Sequence, residues 1–120
     1  MKLNHANLCT SDVARAASMF IDHFGFAMLA DTGPKLVVLR GEDGFILTLM
    51  RPGKMTAYPP GSHIGFIVET PEAVRSKHAD LTAAGWAPNK VGDIMRGDLA
   101  STTFYCPLGD GLLLEVSCWH

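Results

Sequence analysis

No stretch of this chain approaches the roughly 18 consecutive apolar residues that a membrane-spanning helix requires. Charge is scarce as well: Asp, Glu, Lys and Arg make up 18% of the 120 residues and leave a net charge of −2. The two signs are interspersed, so the basic footprint of a nucleic-acid-binding protein is missing. The cysteines number three. Cys9, Cys106 and Cys118 lack metal-finger spacing and cannot all pair as disulfides, and each lies in a β-like run where a small buried hydrophobe suffices, so they read as core thiols. The opening Met1-Lys2-Leu3-Asn4-His5 lacks the basic-then-apolar pattern of a secretory leader, which makes a cytoplasmic protein the expectation. With apolar residues at 48%, the chain reads as one globular domain, able to bury a core without disulfides.

Taken in order, Leu3 to Cys9 reads as a strand with His5, Asn7 and Cys9 on one side. Thr10-Ser11-Asp12 then offers N-cap oxygens, and Val13, Ala16, Ala17, Phe20 and Phe24 recur at helical spacing up to Gly25. A short strand is expected at 26–30. The runs 35–40 and 45–50 follow as strands around the turn Gly41-Glu42-Asp43-Gly44. Residues 52–61, with Pro52, Pro59, Pro60, Gly53 and Gly61, read as a linker. The order then recurs. His63 to Glu69 alternates as a strand, and Thr70-Pro71-Glu72 starts a helix whose inner stripe is Val74, Leu81 and Ala84, closed by Gly85. Residues 86–98 read as irregular, with weak strand character near 87–91 and a Gly-rich, mixed-charge segment suited to a lid. Strands at 101–106 and 112–119 finish the chain.

The halves correspond as a duplicated βαβββ unit, module one at about 1–51 and module two at about 62–120. Asp43-Gly44-Phe45-Ile46-Leu47-Thr48 aligns with Asp110-Gly111-Leu112-Leu113-Leu114-Glu115, so Thr48 holds the place of Glu115 and His5 that of His63. The fold expected is α+β, two tandem modules whose curved mixed sheet surrounds a cavity with helices on the outer face. Strand parity assigns directions. Ile64, Phe66 and Val68 face the helices, as do Leu112, Leu114 and Val116, which turns His63 and Glu115 towards the cavity. A carboxylate in an apolar strand needs a partner, because burying it unpaired costs several kcal/mol or more.

The segments His5-Ala6-Asn7-Leu8-Cys9-Thr10-Ser11-Asp12, Phe24-Gly25-Phe26, Ser62-His63-Ile64-Gly65-Phe66 and Gly109-Asp110-Gly111-Leu112-Leu113-Leu114-Glu115 together resemble the vicinal oxygen chelate superfamily. That superfamily groups glyoxalase I, extradiol dioxygenases, fosfomycin-modifying thiol transferases and bleomycin-binding resistance proteins. The resemblance covers nearly the whole chain. It implies a metal held by His5, His63 and Glu115, with Thr48, a poor ligand, at the fourth position. Two histidines and one carboxylate suit Fe(II) or Mn(II), with Zn or Ni as further options, and leave positions open for substrate. The plain alternative for Glu115 is an ion pair with Arg96 or Arg40.

In the ring-cleaving and fosfomycin-modifying branches a Tyr at the place of Tyr105 touches substrate, which makes Tyr105 the catalytic candidate. Thr103 shares its face, Asn7 stands where the fosfomycin branch carries Thr, and Arg96 in the irregular stretch can orient an anionic substrate. Together with Thr48 these are the substrate-binding candidates. The function expected is a metal-dependent small-molecule enzyme, most like a ring-cleaving dioxygenase or a lyase. Glyoxalase I chemistry is disfavoured by Thr48. The alternatives are a metal-free sequestering protein of the bleomycin-resistance type and a thiol transferase related to fosfomycin resistance. The resemblance also implies a homodimer.

Overall fold

The computed structural model describes residues 1–120 and divides them into two compact units, Met1–Ala57 and Tyr58–His120. The first holds β1 (His5–Cys9), α1 (Val13–His23), β2 (Ala27–Asp31), β3 (Leu36–Arg40) and β4 (Ile46–Met50); the second holds β5 (His63–Ile67), α2 (Pro71–Ala83), β6 (Gly92–Arg96), β7 (Leu99–Gly109) and β8 (Leu112–Trp119). Each unit is a βαβββ module built on a four-stranded mixed sheet, ordered β1-β4-β3-β2 in one and β5-β8-β7-β6 in the other. The outer pair β1/β4 is parallel, as is β5/β8, because the helix between the first strand and the rest supplies the crossover.

Both helices start where the sequence places them. Asp12 caps α1 by accepting from the Arg15 N–H, and Thr70 caps α2 by accepting from the Ala73 N–H with Pro71 at the first helical position. α1 buries Val13, Ala16, Ala17, Met19 and Phe20 against β3 and β4. The stripe of α2 is narrower than expected. Val74 and Leu81 are buried, but Ala84 is exposed, since it falls at the C-cap where the helix has already left the sheet.

The opposite sides of the two sheets are set by parity. In module two Leu112, Leu114, Val116, Phe104 and Cys106 are buried on the helix side. The alternate residues His63, Gly65, Glu115, Ser117, Tyr105, Thr103 and Ser101 share the other face through the pairings Gly65↔Glu115, Tyr105↔Glu115 and Thr103↔Ser117. In module one the corresponding face carries His5, Asn7 and Thr48, with Asn7 paired to Thr48. Two boundaries differ from expectation. The segment read as irregular forms β6, which pairs with the N-terminal part of β7 from Gly92↔Thr103 to Arg96↔Leu99. Its period-2 pattern is too weak to show in sequence because it is an edge strand, largely exposed on both faces. β7 is correspondingly longer, since its first residues are the partners of β6. Of the three thiols, Cys106 and Cys118 are buried and Cys9 is half-buried, and none forms a disulfide.

Candidate functional site

The register of the two parallel pairs fixes the repeat at single-residue level. His5 stands opposite Ile46 and Asn7 opposite Thr48 in module one, while His63 stands opposite Leu113 and Gly65 opposite Glu115 in module two. His5 therefore matches His63, Thr48 matches Glu115, and the glycine at 65 replaces the asparagine at 7. That glycine is required. A Cβ built on it would lie 2.4 Å from the Glu115 carbonyl oxygen and 2.8 Å from the Glu115 Cβ, so only glycine lets β5 approach β8 this closely.

Glu115 is 8% exposed, and its partner is His63 rather than an arginine, with Oε2 3.1 Å from Nε2. Gly61, held at φ 86° in the turn before β5, presents its carbonyl to His63 Nδ1 at 2.9 Å. This bond places a proton on Nδ1, so the neutral ring turns an unprotonated Nε2 towards the carboxylate. Two lone-pair-bearing atoms then face each other, an arrangement that calls for a proton or a cation at the pair. In module one His5 Nδ1 lies 2.8 Å from Asn4 Oδ1.

Tyr105 extends the arrangement. Its ring meets that of His63 edge to face, with centroids 5.6 Å apart. Its hydroxyl accepts a hydrogen bond from Arg96 Nη2 at 2.7 Å. Burial, together with a hydrogen bond to the Glu115 carboxylate and that group's negative charge, pushes the phenol above its ordinary value of 10.0, while Arg96 opposes the rise. Tyr105 is thus a neutral hydrogen-bond donor at physiological pH rather than a base. Behind it Ser101, Thr103 and Ser117 form a buried row of hydroxyls linked at 2.8 and 2.7 Å. A cavity of ≈ 200 Å³ opens onto His63, Arg96, Leu99, Ser101, Glu115 and Trp119.

The backbone of Tyr105 is held from the side. β6 pairs with β7 only as far as Thr103, and beyond that point Asn89 takes the place of a neighbouring strand. The Asn89 N–H donates to the Tyr105 carbonyl at 2.8 Å, and Asn89 Oδ1 accepts from the Tyr105 N–H at 2.7 Å. His78 on α2, packed edge to face on Phe104, reaches the Asn89 carbonyl with Nε2 at 2.8 Å.

Of the predicted residues, module two brings together His63, Glu115, Tyr105, Thr103 and Arg96, and module one places His5, Asn7 and Thr48 on one face. Within neither module do three His, Cys, Asp or Glu side chains gather as a metal-holding group. Sequence reasoning gives no individual site role to Gly61, Gly65, Ser101, Asn89 or Trp119. A glycine interrupting an apolar strand two residues after a histidine was the available signal for Gly65. No local pattern distinguishes Asn89, whose role depends on where β6 stops.

The pair also passes a test of fit for a divalent ion. Donor atoms 3.1 Å apart match one edge of a coordination shell, since bonds of about 2.1 Å at right angles separate their ends by about 3.0 Å. The tautomer fixed by Gly61 leaves the correct nitrogen free to ligate.

Comparison with known proteins bears on the family and the fold. Among curated proteins none matches the sequence. The structure of a possible glyoxalase from Bacillus cereus is 31% identical, covers 98% of this chain and 99% of its own, and superposes with a TM-score of 0.82. Lactoylglutathione lyase from Agrobacterium tumefaciens (16% identity, TM-score 0.74, 98% of this chain and 92% of its own) shares the fold. So does the genomically encoded fosfomycin resistance protein FosX from Listeria monocytogenes (16% identity, TM-score 0.73, 98% and 93%). A family model for the Glyoxalase/Bleomycin resistance protein/Dioxygenase superfamily matches residues 2–116, and the chain belongs to that superfamily.

Proposed function

We propose that this protein is a metal-dependent enzyme acting on a small substrate that offers two adjacent oxygens, by lyase or ring-cleaving dioxygenase chemistry. The observation that carries the reading is the His63–Glu115 pair, in which a nitrogen made available by the Gly61 carbonyl faces a buried carboxylate. His63 and Glu115 would hold the ion from module two. The family resemblance alone adds His5, the register counterpart of His63, as the third ligand in this proposal. Fe(II) or Mn(II) suits such a donor set best. When bound, the ion supplies Lewis acidity towards substrate oxygens.

The remaining roles belong to the chain. Tyr105, kept protonated, donates a hydrogen bond to an oxygen that gains negative charge, and Arg96 holds the phenol in place. Thr103 fixes the floor beneath it, and Thr48 and Asn7 present smaller polar groups on the face of module one. With Thr48 at the place of Glu115, no carboxylate stands there to act as a base in shuttling a proton between carbons, which disfavours isomerisation of the glyoxalase I kind. As in much of the family, the working form is proposed to be a cytoplasmic homodimer.

Metal analysis and thermal denaturation test the reading. Protein purified without chelator should hold about one transition-metal ion per chain, and Mn(II) or Fe(II) at about 100 times its Kd adds about 2.7 kcal/mol of stability. For a chain of 120 residues, at about 2.1 cal/mol/K per residue, that is a rise in Tm of about 10 °C. The rise should vanish in His63→Ala. If no ion binds and none raises the Tm of the wild type by more than it raises that of His63→Ala, the enzyme reading falls and a metal-free binding protein takes its place.

A further inference from the structure

Arg96 is linked to the Glu115 carboxylate only through the hydroxyl of Tyr105. Its side chain makes no ion pair, and its one polar contact is the neutral phenol of Tyr105. Guanidinium groups carry five N–H donors and stay charged at any pH a protein survives, so most of the hydrogen-bonding capacity of Arg96 is unspent. The polar floor of the cavity is different. Ser101, Thr103 and Ser117 bond one another, and no buried side-chain polar atom lacks a partner. The donors left available to a ligand at this cavity are therefore those of Arg96, which faces solvent.

The position of the guanidinium is also determined. Arg96 pairs with Leu99, six residues before Tyr105 on β7. Six residues of extended strand span about 20 Å. The tips of Arg96 and Tyr105 nevertheless meet at 2.7 Å. The sheet must curl, and both side chains must lean over Ser101 and Thr103. This places the cation over the same cavity that His63 and Glu115 line, with Leu99 (54% exposed) and Trp119 (51% exposed) as its apolar walls. Both walls lie on that face, since Leu99 pairs with Arg96 and Trp119 with Ser101.

We infer that the substrate is a small organic monoanion: a single-ring or similarly flat apolar body bearing a carboxylate in addition to its two adjacent oxygens. The carboxylate takes the free N–H groups of Arg96, the body lies against Trp119 and Leu99, and the oxygens point to His63 and Glu115. A volume of ≈ 200 Å³ is below the roughly 300–1,000 Å³ common for ligand pockets, which selects against bulky conjugates. The assignment rests on the metal-dependent reading for the oxygens, but not for the carboxylate.

The test compares catechol, 3,4-dihydroxybenzoate and benzoate by calorimetric titration of the Mn(II)-loaded and the metal-free protein, in wild type, Arg96→Gln, Arg96→Lys and His63→Ala. A charge-assisted pair predicts that dihydroxybenzoate binds about tenfold tighter than catechol or better. In Arg96→Gln the ratio of the two Kd values should fall to about one, and Arg96→Lys should recover part of it. Because Arg96 is exposed on an edge strand, the variants are expected to fold, and circular dichroism checks this. The inference is overturned if the carboxylate brings no gain, if the gain survives in Arg96→Gln, or if none of the three probes binds at millimolar concentration. A gain that needs Arg96 but is indifferent to metal and to His63→Ala supports the anion subsite and sinks the metal reading. Catechol binding that needs metal and His63, with no carboxylate gain, does the reverse.

Discussion

Replacing Gly65 with alanine puts a methyl group where β5 and β8 leave no room. The backbone at 65 is not in the left-handed region, so alanine there would ordinarily be neutral or favourable in a strand. Contact decides the sign instead. The new Cβ would sit 2.4 Å from the Glu115 carbonyl oxygen and 2.8 Å from the Glu115 Cβ, and neither atom is the end of a flexible side chain. Relief requires the parallel pair to separate by most of an ångström across hydrogen bonds that run from His63 to Ile67, a disruption of the overpacking kind that costs about 2–3 kcal/mol. For a chain of 120 residues this is a loss of about 8–12 °C in Tm. The matched control is Gly92→Ala on β6, where a Cβ meets nothing within 4 Å and the Tm should stay within about 2 °C. Displacing Glu115 should also weaken Mn(II) binding about tenfold or more, read by titration. If Gly65→Ala melts with Gly92→Ala and binds metal as wild type does, the close approach is not what positions Glu115.

Three further outcomes follow from the same structure. The chain has two tyrosines, so in a Tyr58→Phe background the tyrosinate absorbance band reports Tyr105 alone. Its midpoint should lie above 10.0, drop in Glu115→Gln and rise further in Arg96→Ala. The native state thus keeps a proton that the unfolded state releases, and the stability this contributes is complete below pH 10 and lost as pH rises through the native midpoint, measurable as a fall in urea midpoint. Asn89→Ala removes the acceptor of the Tyr105 N–H and should cost about 1–2 kcal/mol. Hydrogen exchange at the Tyr105 amide should accelerate in Asn89→Ala and recover in Asn89→Asp; unchanged protection would show that Asn89 does not stand in for a strand. Thr70→Ala, which deletes the cap of α2, should destabilise by about 1 kcal/mol with the site chemistry unaffected, measured by denaturant titration alongside metal affinity.

The tandem βαβββ order, both helix starts, the side of the sheet on which His63 and Glu115 lie, and the register equating Thr48 with Glu115 were all legible in the sequence, for a common reason. Caps, helical spacing and strand alternation are local, and each is written within a few residues. A duplicated unit then doubles the signal, because each half checks the other. The candidate site itself was readable only as residue types at matched positions. That Glu115 answers to His63 and Tyr105 and not directly to Arg96, that Gly61 sets the tautomer of His63, and that Asn89 replaces a missing strand at Tyr105 are relations between segments distant in sequence. The edge strand carrying Arg96 was missed because exposure on both faces erases the alternation that betrays a strand. Local chemistry therefore determined which elements form and which way their side chains face. Only the tertiary structure decided which of those side chains meet, because the curl of a sheet, which brings Arg96 and Tyr105 together across six residues of β7, is a property of paired strands and of no single segment.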